Sequence, residues 1–169
     1  MWVSGRSQVS CHLAKNLAPI CECVCYRFLT ISSLSGEQVA IHVGIASGTN
    51  SIILEQTGKN TGYKDRDVRG ICPADNCCIQ GGAERLDSII DMRSISKRLK
   101  ELGLDVIYSR DAGRYLCDFV HYLSLHYGQR RAALIHVPAC GSLASPGKLV
   151  PQLQTIIQVM LCQLDTQRI

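Results

Sequence analysis

Hydrophobic and polar positions change rhythm along the chain. From Leu13 through Leu17, Ile20, Val24, Phe28 and Ile31, apolar residues recur in steps of three and four, the period of one helix face, and Pro19 is placed to kink or split it. Ser32-Ser33-Leu34-Ser35-Gly36 then reads as a turn or short linker. Positions 1–36 therefore predict a divergent N-terminal extension, helical or disordered, ahead of an α/β domain over 37–169. Val39 to Ile45 is a nearly continuous apolar run, as expected of a strand buried on both faces of a parallel sheet. Ser51 to Glu55 is a second extended segment, and Lys59 to Gly82 has few periodic apolar positions and reads as a long surface excursion.

The second half alternates regularly. Asp91 predicts the cap of a helix with Ile95, Leu99 and Leu102 inward, stopped by Gly103. Leu104 to Ser109 predicts a strand, Asp111 to Arg114 a turn, and Tyr115 to Tyr127 a helix with Leu116, Phe119, Val120 and Leu123 on its apolar face. Ala132 to Val137 predicts another strand, closed by Pro138. A final helix opens at Ser145-Pro146-Gly147 or at Pro151, with Leu153, Ile156, Ile157, Met160 and Leu164 inward. Strand alternating with helix predicts an α/β fold: an open twisted, mostly parallel sheet with helices on both faces.

Composition narrows the function classes. Hydrophobic residues are 46% and charged residues 19% of 169, values of a globular chain. A net charge of +4, scattered along the chain, gives no reason to expect nucleic-acid binding. No apolar run approaches the ~20 residues that span a bilayer, so no membrane partner is expected. Ten cysteines stand out. Arg6 and Lys15 interrupt the N-terminus where a secretory signal would be apolar, so the expectation is a cytoplasmic protein with reduced thiols.

Ligands of such sheets bind beyond the carboxyl ends of the strands. Glu55 closes one strand, His136 lies near the end of another, and Cys117 falls in the first turn of a helix, where free N–H groups and the helix dipole favour a thiolate. Thiol, imidazole and carboxylate are the parts of a cysteine nucleophile with its base and orienter. Each residue also has an ordinary explanation: a small buried hydrophobe, a hydrogen-bonded core histidine, a solvated strand end. His42 shares the context of His136, and strand position does not choose between them. Cys21, Cys23 and Cys25 form a thiol cluster whose spacing does not match the C-x₂₋₄-C pairs of structural zinc.

Three stretches carry a resemblance. Asp111-Ala-Gly-Arg-Tyr-Leu-Cys117-Asp118 resembles the active-site cysteine motif of the type I pyroglutamyl peptidases, cysteine peptidases also called pyrrolidone-carboxyl peptidases. His136-Val-Pro resembles their histidine motif, and Ile41-His-Val-Gly44 with Leu54-Glu55-Gln-Thr-Gly-Lys-Asn60 their glutamate motif. The resemblance implies a catalytic triad of Cys117 as nucleophile, His136 as base and acid, and Glu55 as orienter. It implies an oxyanion site at the backbone N–H of Cys117, with Lys64 or Arg66 as a basic contributor. It implies release of pyroglutamyl residues from N-terminally pyroglutamylated peptides, with no metal or organic cofactor. It also implies an N-terminal strand and a Gly-Phe-Gly-Pro-Phe-Gly loop, and nothing in Met1 to Gly36 resembles either. Gln56 stands where a basic residue is usual, and Ala139 where proline follows His-Val-Pro. The alternative to an active exopeptidase is a catalytically impaired, truncated relative that acts as a binding protein or has no activity.

Overall fold

The computed structural model describes residues 27–32, 38–67 and 70–166, the first of these as backbone. Its central sheet has five strands in the order β1-β2-β7-β3-β6: β1 Arg27–Ser32, β2 Gln38–Ala46, β3 Ile52–Glu55, β6 Val106–Ser109 and β7 Ala132–Pro138. Strands β2 and β7 pair in parallel, as do β3 and β6. The pairing between β3 and β7 is antiparallel, so the sheet is mixed. The short connection 47–51 explains this: a parallel return from β2 to β3 needs a crossover of a dozen residues or more, whereas a tight reversal leaves the two strands on either side of β7 in opposite directions.

The helical reading of the N-terminal apolar run does not hold over its last residues. Arg27–Ser32 is a strand, antiparallel to β2 from Arg27 opposite Val43 to Ser32 opposite Gln38. Its Phe, Thr and Ile favour extended structure, and its backbone covers the edge of β2 that would otherwise expose unpaired N–H and C=O groups. Leu13, Leu17, Ile20 and Val24 lie outside the described residues. The excursion over Lys59 to Gly82 is also more ordered than its composition suggests. Two unforeseen short strands, β4 Thr57–Lys59 and β5 Arg85–Asp87, pair antiparallel as a small second sheet at its ends, and Thr61 bridges Cys77 across it.

Among the described residues three α-helices complete the fold: α1 Met92–Glu101, α2 Leu116–Tyr127 and α3 Pro146–Thr166. The Asp91 carboxylate accepts the N–H groups of Arg93 at 3.0 Å and Ser94 at 3.1 Å, which caps α1 as expected. Met92, Ile95 and Leu99 are buried, but Leu102 is 56% exposed, because it follows the last helical turn rather than continuing its stripe. Of the two candidate starts for α3, Pro146 is the one used, at a position that needs no N–H, and Pro151 lies inside the helix. Ile156, Val159, Met160 and Leu164 of α3 join α1 and one face of the sheet (Val39, Ile41, Ile52, Leu54, Ala133, Ile135 and Val137) in the main core.

Helix α2 differs from expectation in a way that matters. Its buried residues are Asp118, His121, Tyr122 and Leu125, while Leu116, Phe119, Val120 and Leu123 are half-buried. The helix turns its more polar side to the protein. It also approaches β4 closely: a Cβ on Gly58 would stand 2.9 Å from the Tyr122 Cα, so only glycine fits there. Among the described residues no helix is long and apolar enough to cross a membrane.

Candidate active site

The site is built on the α2 side of the sheet. Residues two apart on a strand share a face, and partners in register share it across strands. Ala40, His42 and Gly44 of β2 stand opposite Ala132, Leu134 and His136 of β7. Glu55 of β3 stands opposite Leu134, and Ile53 opposite His136. His136 and Glu55 are thereby diagonal neighbours, and the His136 Nδ1 to Glu55 Oε1 distance is 2.9 Å. The Cys117 thiol, delivered by the first turn of α2, reaches the same place: a Cβ on Gly44 would lie 2.7 Å from its sulfur and 3.4 Å from His136 Nε2, so thiol and imidazole gather over one strand position. Three residues remote in sequence thus form a thiol–imidazole–carboxylate relay, with Cys117 half-buried and the other two nearly closed off from solvent.

Register also separates the two strand histidines. His42 lies one pair deeper than Gly44, and its Nε2 meets the Ser124 hydroxyl at 2.8 Å, two helical turns beyond Cys117. Burial, with His121 close by, holds His42 well below its ordinary value, so it is a neutral interior imidazole. His136 behaves oppositely. Burial is the largest influence and works against its charge, yet the hydrogen bonds to Cys117 and Glu55 outweigh it and hold His136 up at about 9. The site therefore keeps a proton on the imidazole at neutral pH.

Other buried polar groups surround the relay. His121, one turn after Cys117 on α2, is pushed down to about 3 by burial and by His136, and neither of its ring nitrogens has a hydrogen-bond partner. Asp118 follows Cys117 directly and is fully buried; burial raises its carboxyl to about 6 against the opposing pull of Tyr63 and Arg114. The Tyr63 hydroxyl meets Asp118 Oδ2 at 2.8 Å, and the Arg114 guanidinium lies 3.6 Å from the same oxygen. Arg114 also bonds Asp111 and the Gly113 carbonyl, which ties the turn before α2 to its first turn. Motif reading picks out Asp118 and Arg114 only as neighbours of Cys117; for Tyr63, inside an irregular stretch, the sequence carries no signal.

A cavity of about 300 Å³ opens beside the start of α2. Tyr63, Ile71, Pro73, Tyr115, Leu116 and Phe119 supply its apolar walls, and Asp65, Asp67 and Arg114 also border it. Neither basic candidate for the oxyanion site joins the relay: Arg66 donates to the Gly70 carbonyl of its own loop at 2.6 Å, and Lys64 is exposed. Cys117 is the second residue of α2, where backbone N–H groups have no acceptor within the helix. Gln56 is buried and anchors backbone: its amide group donates to the carbonyls of Ser88 and Ile90 and accepts the N–H of Met92 at 2.9 Å. Among the described residues no group of three or more potential ligands gathers for a metal, and Cys21, Cys23 and Cys25 lie outside those residues.

The family model for pyroglutamyl peptidase matches residues 29–161. The human pyroglutamyl-peptidase 1-like protein is 47% identical over 124 residues, 73% of this chain and 63% of that protein. Mouse pyroglutamyl-peptidase 1 is 45% identical over 130 residues, 76% of this chain and 62% of its own length. Among solved structures, a mutant pyrrolidone carboxyl peptidase from Pyrococcus furiosus superposes with a TM-score of 0.63 at 28% identity, covering 73% of this chain and 69% of that one. The chain thus spans less than two thirds of the length of these curated relatives. With the match running from β1 into α3, the chain belongs to the pyroglutamyl peptidase family.

Proposed function

We propose that the chain is a cysteine-type exopeptidase that removes N-terminal pyroglutamyl residues from peptides, with Cys117 as nucleophile, His136 as proton carrier and Glu55 as the group that orients the imidazole. The observation that carries the reading is the gathering of the Cys117 sulfur and the His136 imidazole over Gly44, with Glu55 Oε1 2.9 Å from His136 Nδ1 on the far side of the ring. Family membership supports the substrate class, since relatives at 44–47% identity are named for pyroglutamyl peptidase chemistry.

In this mechanism the sulfur attacks the acyl carbon of the pyroglutamyl residue, and the carbonyl electron pair moves onto oxygen. The N–H of Cys117 in the uncapped first turn of α2 donates to that oxyanion. Collapse breaks the C–N bond, and His136 gives its proton to the departing amine. A water molecule, deprotonated by the now neutral imidazole, then attacks the thioester, releasing pyroglutamate and restoring the thiol. Glu55 keeps Nδ1 engaged throughout, so that Nε2 faces the sulfur and the leaving group. The cavity bordered by Leu116, the residue before Cys117 in sequence, has apolar walls of the kind a small neutral lactam needs.

The test is turnover of a pyroglutamyl-aminocoumarin by the purified chain. Fluorophore release well above a Cys117→Ala control is expected. Release no faster than that control would overturn the reading in favour of a non-catalytic relative.

A further inference from the structure

Gly44 occupies a β2 position where nothing in the backbone requires glycine. It lies within a regular strand, outside the left-handed region, in parallel register with His136. Glycine in a strand interior costs stability and commonly marks a close approach by another group. Here that group is the relay. A Cβ built on Gly44 would stand 2.7 Å from Cys117 Sγ, 3.2 Å from His136 Cδ2 and 3.4 Å from His136 Nε2. The sulfur therefore rests directly on the β2 backbone, in the space a side chain would fill.

We propose that Gly44 is a positioning residue of the relay: its missing side chain is the seat that holds the Cys117 thiol against His136. Which atom yields to an added methyl follows from the surroundings. The Gly44 backbone is held by the pairing of Gly44, Ile45 and Ala46 with β7. The imidazole is held by Glu55. The thiol hangs on a single torsion and can swing between staggered wells. Alanine at position 44 thus rotates sulfur off the imidazole while the sheet stays in place. Gly58 makes the contrast: a Cβ there meets the α2 backbone itself, so its absence serves packing, not the relay.

The consequence for catalysis rests on the function proposed above, but the seat itself is tested without substrate. Chains carrying Gly44→Ala, Gly48→Ala or His136→Ala are treated with iodoacetamide from pH 5 to 10, and the rate of alkylation at Cys117 is read by peptide mass spectrometry. Gly48 is a same-size control, with nothing within 4 Å of an added Cβ. Near neutral pH, Gly44→Ala is expected to slow Cys117 alkylation by about tenfold or more, with a pH profile moved toward that of His136→Ala, because a sulfur turned off the imidazole loses the base that takes its proton. Gly48→Ala keeps the wild-type profile. An unchanged profile in Gly44→Ala overturns the proposal. Should Gly44→Ala melt early, the double variant with Cys117→Ala decides: removing sulfur restores the melting temperature if the methyl strikes the thiol, and a failure to restore it overturns the proposal. A chain that shows the alkylation pattern but releases no aminocoumarin retains the seat and loses only the peptidase reading.

Discussion

Along β2, Val39 and Ile41 enter the core shared with α1 and α3, while His42 and Gly44, on the opposite side, meet α2. The two sides of one sheet are built by different rules. The α1 and α3 side is a continuous set of aliphatic side chains in which shape and area decide. The α2 side buries His42, Glu55, Asp118, His121 and His136, and leaves Glu55 Oε2, Asp118 Oδ1 and both nitrogens of His121 without partners. Each orphaned buried polar atom costs about 1–3 kcal/mol, so that face gives up stability that the other supplies. The candidate site lies where the packing rules are broken.

Neighbouring residues on opposite faces can break or sharpen this contrast. The largest effect is expected from Cys117→Ala, which should lower turnover of a pyroglutamyl-aminocoumarin by about 10³-fold or more while urea unfolding moves by less than about 1 kcal/mol. A large loss of stability would mean that the α2 side serves the fold as much as chemistry. Ile135→Ala, next to His136 but facing the other way, should cost about 2–5 kcal/mol of stability and leave turnover per folded molecule near wild type.

A third effect is linked to pH. His136 is held up at about 9 against an ordinary 6.5, so the stability it contributes is fully present below pH 6.5 and lost as pH rises through about 9. Glu55→Gln removes one of the groups that raise it, and urea titrations across that window should show a flatter decline in the variant than in wild type. Equal slopes would contradict the electrostatic account of the relay. The smallest effect belongs to Asp91→Ala, which removes the α1 cap on the apolar side. It should cost about 1 kcal/mol in thermal or urea unfolding with no change in turnover.

How far the sequence could be read follows the same division. Elements of the aliphatic side were legible because period and punctuation agree: the Asp91 cap, the Leu99–Gly103 stop and the buried strand ending at Pro138 all stand where expected. Helix α2 was placed correctly but turned wrongly. Its hydrophobic stripe through Leu116 and Phe119 borders the cavity instead of the core, because the sheet beneath it presents polar side chains. The reversed direction of β3 had a signal in the brevity of 47–51, a stretch too short for a crossover. The choice between His42 and His136 had none in the strand pattern, only in the His136-Val-Pro resemblance. It depends on register between β2 and β7, which sets one imidazole under Cys117 and the other beneath Ser124.

One joint connects the two sides. Glu55 reaches the imidazole, while Gln56, the very next residue, holds the entry to α1 through Ser88, Ile90 and Met92. A single peptide unit therefore spans the boundary between the scaffold and the candidate site. Any shift of the α1 entry has a path one residue long to the carboxylate beside the imidazole.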